Sequence, residues 1–315
     1  MKINTICIVG VGGVGGYFGG KIAQAIARNA ASGAQVFFIA RGAHLAEIQR
    51  HGLMLNTSDQ QGIICKPTLA TDRLEDVPPP DLYVVCVKGY DLAEIAPRIA
   101  RNMRPKTALL PLLNGVDVYE RIRATLTAGI VLPACVYVGT RIERPGVVTQ
   151  QGGDGVIVCG RDPRVSAFDP QPLQEFFQHC GINLRWNDDP FPAIWEKFVF
   201  IAAYGLVTAH SGEALGAVFA NNARRELTRG IMEEIVAIAR RKGVALSESL
   251  VDDSLAKARN FAPETRTSYQ RDVETPGKRN EGDFFGGATL RLGQELGVAT
   301  PITARIYGEI CRRNA

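Results

Sequence analysis

The run Gly10-Val11-Gly12-Gly13-Val14-Gly15 follows the apolar stretch Ile6-Cys7-Ile8-Val9, and this glycine spacing at a strand-to-helix turn is suited to gripping a dinucleotide. Gly10 would make the tight turn, Gly12 would let the backbone approach a pyrophosphate, and Gly15 would let helix pack on strand. The amides and positive dipole of the helix N-terminus would face the phosphates. Gly10, Gly12, Gly13, Val14 and Gly15 are therefore candidate cofactor contacts. The residue ending the next strand faces the adenosine ribose and is commonly acidic when NAD is the cofactor; here it is Arg41, with no acid between Gly33 and Arg41. A guanidinium suits a 2′-phosphate, so NADPH is the expected cofactor, and a solvated surface arginine is the alternative. Lys88 follows Val84-Val85-Cys86-Val87 at a strand end where ligands of open α/β sheets bind, unless it is only a solvated terminus. Asn114-Gly115 ends the following strand, and its amide could reach a nicotinamide ribose or a substrate, or simply make a turn.

Lys197 stands out because nearly every neighbour between Phe191 and Ala203 is apolar. Partial burial would lower its pKa, and an ammonium beside a carbonyl can donate a proton as hydride arrives at carbon. Snorkelling from an amphipathic helix, or pairing with Glu196, are the competing readings. A polar cluster, Thr265 to Asp272, precedes Lys278-Arg279-Asn280-Glu281. It reads either as a solvated loop leading to a helix or as groups converging on a carboxylate and a ribose.

The elements that must position these groups follow from periodicity. A helix from Gly16 to about Ala31, with Ile22, Ala23 and Ile26 at helical spacing, links the first strand to Gln35–Ala40 as a βαβ unit. Strand-like runs at 82–87, 107–113 and 131–138, with a helix at Leu92–Asn102 between the first two, predict a Rossmann-type, doubly wound parallel sheet of the α/β class. Val147–Gln150 and Val156–Cys159, joined by Gly152-Gly153-Asp154-Gly155, read as an appended hairpin. After Asn187-Asp188-Asp189-Pro190 the patterns are helical: 193–210, 222–242, 247–260, 281–296 and 301–313. The expectation is a dinucleotide domain over residues 1–188 and an all-helical substrate and catalytic domain over 189–315.

Composition adds exclusions. With 46% hydrophobic and 22% charged residues and a net charge of +4, usage is that of an ordinary globular protein. No basic block resembles a nucleic-acid arm. The chain runs from Met1 directly into a strand, and no apolar stretch of membrane-spanning length is clear of Gly or charge, so a cytoplasmic enzyme without a membrane partner is expected. The seven cysteines form no C-x-x-C pair, and the four histidines lack ligand spacing, so no metal is expected. The oligomeric state is not readable, although a helical second domain commonly offers a face for a homodimer.

Together these pieces make the chain resemble the ketopantoate reductase (2-dehydropantoate 2-reductase) family over essentially its whole length. The matching segments come in the family's order: Gly10-x-Gly12-x-x-Gly15, Arg41, Cys86-Val87-Lys88, Asn114-Gly115, Trp195-Glu196-Lys197, Ser268-Tyr269-Gln270-Arg271-Asp272, Asn280-Glu281-Gly282-Asp283 and Gly297-Val298-Ala299-Thr300-Pro301. The resemblance implies NADPH-dependent reduction of 2-dehydropantoate to pantoate, within pantothenate biosynthesis. By the same resemblance Arg41 and Lys88 would help bind NADPH, and Asn114 would contact the nicotinamide end and the substrate. Lys197 would donate the proton, Ser268 would bind the substrate carboxylate, and Glu281 would sit at the cofactor ribose and the catalytic centre. Two departures matter. Where the family pattern has asparagines four and eight residues after the lysine, this chain has Ile201 and Gly205, which implies a drier site. The segment Val273–Lys278 is one residue longer than the usual spacing, which bears on Glu281. Another branched or aromatic 2-oxo acid is the alternative substrate, and a nucleotide-sensing protein without turnover is the alternative class.

Overall fold

The computed structural model describes residues 2–29, 33–165 and 167–313. Two compact units emerge, one running to Leu113 and resuming over Val118–Pro190, the other made of Asn114–Asp117 with the chain from Phe191 onward.

The first unit contains β1 (Thr5–Val9), α1 (Gly13–Arg28), β2 (Gln35–Ile39), α2 (Gly42–His51), β3 (Leu53–Asn56), β4 (Ile63–Cys65), β5 (Leu69–Thr71) and β6 (Leu82–Val85). It continues with α3 (Leu92–Asn102), β7 (Ala108–Pro111), α4 (Val118–Arg123), β8 (Ile130–Val131), β9 (Ala134–Arg144), β10 (Val147–Gly160), α5 (Gln171–His179) and β11 (Leu184–Asn187). Six strands form a parallel sheet in the order β5-β2-β1-β6-β7-β8. The strands β1, β6 and β7 are buried at every position but Thr5, which is why they read as continuous apolar runs.

A second sheet, β11-β10-β3-β4 with β9 paired to β10, was not legible in the sequence. Its strands β3, β4 and β11 are three or four residues long, too short to show a period. This sheet corrects the expected hairpin: Gly152–Gly155 lies inside one long strand, β10, and the turn is at Pro145-Gly146, where Gly146 has φ +77°. Pairing with β9 continues across the glycines, whose positive φ values at Gly153 and Gly155 are spent on register shifts rather than on a turn. The run predicted as one strand from Val131 to Val138 is likewise split between β8 and β9, in different sheets.

Helix α1 lies between the two sheets and is apolar or glycine on most of its circumference. Phe18 and Ile22 are fully buried, and glycines permit the close approach: a Cβ on Gly16 would stand 2.6 Å from Val148 Cγ2, and one on Gly20 would stand 3.0 Å from Leu55 Cδ2. The helix opens at Gly13, three residues earlier than predicted; its predicted end near Ala31 lies outside the described residues.

The second unit is helical: α6 (Phe191–Ser211), α7 (Leu215–Ala220), α8 (Asn222–Arg241), α9 (Leu250–Lys257), α10 (Ser268–Val273), α11 (Gly286–Leu296) and α12 (Pro301–Arg313). The polar cluster Thr265–Asp272 contains α10, capped by Thr267, whose hydroxyl accepts from the Gln270 amide at 3.1 Å. The pattern predicted as one helix over 281–296 begins as a 3₁₀ turn, Gly282–Phe284, and becomes α-helical only at Gly286. By length and composition α6 could cross a membrane, yet Trp195, Phe198, Val199, Ala202 and Ala203 are all buried in this unit, as in a core helix.

Candidate functional site

In the first unit, the turn after β1 is tied to the end of β2: the amides of Gly10 and Val11 both donate to the Ile39 carbonyl, at 3.1 and 2.9 Å. Gly10 has φ +89°, and a Cβ there would stand 2.8 Å from the Val87 amide nitrogen. A Cβ on Gly15 would stand 2.2 Å from the Gly10 carbonyl oxygen, so both residues are glycine because the protein itself fills the space. Gly12 is different: a Cβ there meets nothing within 4 Å. That open approach, over a helix N-terminus with no side-chain cap and no acid in its first turn, is what a pyrophosphate needs. Gly13 packs under Thr140, whose Oγ1 would lie 2.8 Å from an added Cβ, while Val14 is half-buried against the core.

A cavity of about 300 Å³ opens beside this turn, lined by Gly10, Val11, Gly12, Arg41, His44, Lys88 and Asp91 among others. Arg41 precedes α2, its side chain is 70% exposed, and its Nη2 donates to Asp91 Oδ2 at 2.7 Å. Lys88 is half-buried just beyond β6, and its carbonyl accepts from the Asp91 amide at 2.9 Å, so Lys88, Asp91 and Arg41 are joined in one corner of the cavity. Asp91 was missed by sequence reasoning, which sought an acid only near the end of β2; fifty residues separate it from Arg41, and no local signal marks the pairing. His44 was also missed. Its Nδ1 accepts from the Gly146 amide at 3.0 Å, linking α2 to the β9–β10 turn, and burial holds its pKa below the ordinary histidine value. A glycine turn, an uncapped helix and two cations fit an anionic dinucleotide.

In the second unit, Lys197 Nζ donates to Asn114 Oδ1 at 2.7 Å across 83 residues of sequence. Lys197 is half-buried among Trp195, Phe198 and Val199, which are buried. The ammonium thus engages an amide oxygen, which directs it. Ser268 is the exposed first residue of α10, and the adjoining Thr267 hydroxyl lies 3.0 Å from that of Thr208 on α6. Because Lys197, Ile201, Gly205 and Thr208 recur at helical spacing, Ser268 is held toward the C-terminal end of the face that carries Lys197. Glu281 is buried ahead of the Gly282–Phe284 turn, and its carbonyl accepts from the Phe284 amide at 2.9 Å. The structure thus joins Asn114 directly to Lys197, with Ser268 and Glu281 in the same unit.

Comparison with known proteins bears on both units. The family model described as ketopantoate reductase PanE/ApbA matches residues 6–164, and its C-terminal counterpart matches residues 191–313. The 2-dehydropantoate 2-reductase of Halobacterium salinarum is 30% identical over 267 residues, covering 82% of this chain and 84% of the relative. The crystal structure of a PanE/ApbA family ketopantoate reductase from Ralstonia eutropha superposes with a TM-score of 0.86 at 28% identity, covering 98% of this chain and 97% of that one. A D-mandelate dehydrogenase, solved with NADH and anilino(oxo)acetate, shares the fold with a TM-score of 0.85 at 20% identity, covering 98% of each chain. Since the two family models follow one another along the chain and between them take in most of it, the chain belongs to the ketopantoate reductase family, oxidoreductases that work with a nicotinamide cofactor.

Proposed function

We propose that this chain reduces the carbonyl of small 2-oxo acids with NADPH, Lys197 supplying the proton, with 2-dehydropantoate to pantoate, a step of pantothenate biosynthesis, as the reference reaction. The observation that carries this reading is the bond from Lys197 to Asn114 Oδ1 at 2.7 Å, in an apolar stretch of α6. An ammonium so directed stabilises the negative charge that develops on the substrate oxygen and then gives that oxygen its proton. Asn114 accepts one of the three N–H bonds of Lys197 and so orients the others.

The first unit would hold the cofactor: Gly10, Gly12, Gly13, Val14 and Gly15 at the pyrophosphate, Lys88 beside it, and Arg41 at the 2′-phosphate. Asp91 takes one N–H of Arg41, which keeps an exposed guanidinium in place. When bound, the nicotinamide supplies the hydride. Glu281, buried in the second unit, would serve the cofactor ribose and the catalytic centre, and Ser268 would hold the substrate carboxylate. The D-mandelate dehydrogenase that shares this fold was solved with NADH, so the preference for NADPH here rests on Arg41. The test is NADPH consumption with a panel of 2-oxo acids: turnover that falls away in Lys197→Ala supports the reading. Tight nucleotide binding without turnover of any 2-oxo acid overturns it.

A further inference from the structure

The reaction proposed above concerns the carbonyl and carboxylate of the substrate, and the structure also bears on the group attached to them. One helical turn beyond Lys197 on α6 stand Phe200 and Ile201, three and four residues on and therefore on the same face. Both are only half-buried, whereas Phe198, Val199, Ala202 and Ala203 around them are buried. The Phe200 ring stacks on Phe261 with centroids 5.4 Å apart and planes at 17°, and Phe261 is itself 44% exposed. Apolar surface is thus left accessible within one helical turn of Lys197.

Two hydroxyls along this face of α6 are already engaged. The Tyr204 hydroxyl donates to the Leu255 carbonyl at 3.2 Å, and the Thr208 hydroxyl donates to the Tyr204 carbonyl at 2.7 Å. Gly205 offers no side chain, and the atoms nearest its Cβ direction are Tyr269 Cβ and Cδ1, both at 3.7 Å. A substrate side chain laid against Phe200 and Ile201 therefore meets carbon.

We infer that this chain selects 2-oxo acids with an apolar, unhydroxylated side chain over 2-dehydropantoate, through Phe200, Ile201 and Phe261. The inference rests on the proposed reaction. A hydroxyl carried against Phe200, Ile201 and Phe261 gives up its water to carbon, a loss worth roughly ten- to a hundredfold in kcat/KM.

A matched pair of substrates isolates that hydroxyl: 3,3-dimethyl-2-oxobutanoate is 2-dehydropantoate without its 4-hydroxyl. The expected result is a kcat/KM at least about tenfold higher for the dehydroxylated acid, with phenylpyruvate also reduced. Ile201→Asn should move the ratio toward 2-dehydropantoate, Ile201→Leu should keep it, and Phe261→Ala should lower kcat/KM for phenylpyruvate. Binding of the two 2-hydroxy acid products, measured calorimetrically, should show the same order. A ratio at or below one, or a ratio that Ile201→Asn leaves unmoved in a folded protein, overturns the inference while leaving the reaction standing. Failure to reduce any of the three acids overturns the reaction, and the inference with it.

Discussion

Gly12→Val separates binding from folding more cleanly than any other change in the glycine turn. Gly12 has φ −97° and ψ −146°, outside the left-handed region, and nothing lies within 4 Å of its Cβ direction. The space around Gly12 therefore accepts the new side chain, and the cost to stability is that of the backbone angles alone, about 1–3 kcal/mol. The valine methyls then occupy the approach proposed for the pyrophosphate. Loss of two charge-assisted hydrogen bonds, at about 1.5–3 kcal/mol each, amounts to about 3–6 kcal/mol, or roughly two to four orders of magnitude in Kd. Gly15→Ala should behave oppositely, because its Cβ would sit 2.2 Å from the Gly10 carbonyl oxygen and the turn must move, at a cost of about 1–3 kcal/mol or more. NADPH titration by fluorescence, paired with thermal unfolding of both variants, measures the two effects. A folded Gly12→Val protein that binds NADPH within about threefold of the parent would refute the assignment, as would a Gly15→Ala protein with unchanged Tm.

Lys197→Ala should lower kcat by roughly two to four orders of magnitude with NADPH affinity little changed, and Lys197→Arg should not restore it, since guanidinium holds its proton too firmly; near-parental turnover in steady-state assays would remove the lysine from the mechanism. Arg41→Ala should weaken NADPH by about tenfold or more while leaving NADH nearly unaffected, and equal weakening in parallel titrations would show that no 2′-phosphate is read there. Asp162→Ala should destabilise the first unit by about 3–5 kcal/mol in urea unfolding, because it strands the buried Arg123 guanidinium and removes the acceptor of the Tyr119 hydroxyl and the Val131 amide, both at 2.8 Å. His44 has a folded pKa below its unfolded value, so the unfolded chain binds the extra proton first and stability should fall as pH drops below about 6.5. His44→Gln should flatten that part of the stability profile, and an unchanged slope would place the proton uptake elsewhere.

Much of this protein is local and was legible as such. Helices α3 and α12 begin and end where the spacing predicts, at Leu92–Asn102 and Pro301–Arg313, because helix periodicity and end signals act within a few residues. The glycine turn is equally local, since strand, turn and helix follow within about a dozen residues, and Lys197 was conspicuous because its own neighbours in sequence are apolar. The strand β10 was misread for the complementary reason. Gly152–Gly155 has the composition of a turn, and only hydrogen bonding to β9 makes it strand.

The residue types available for a nucleotide turn and a proton donor were set by sequence alone, as was the alternation that makes the first sheet parallel. Tertiary structure decided which groups meet. Asn114 reaches Lys197 across 83 residues and Asp91 reaches Arg41 across 50, and neither separation leaves a trace in local pattern. It also decided which glycine is open: Gly10, Gly12 and Gly15 are alike in the sequence, but backbone atoms crowd the first and last and leave Gly12 clear. The physical reason is range: propensity and periodicity act over a few residues along the chain, whereas the geometry of a site is set by packing between segments far apart in it.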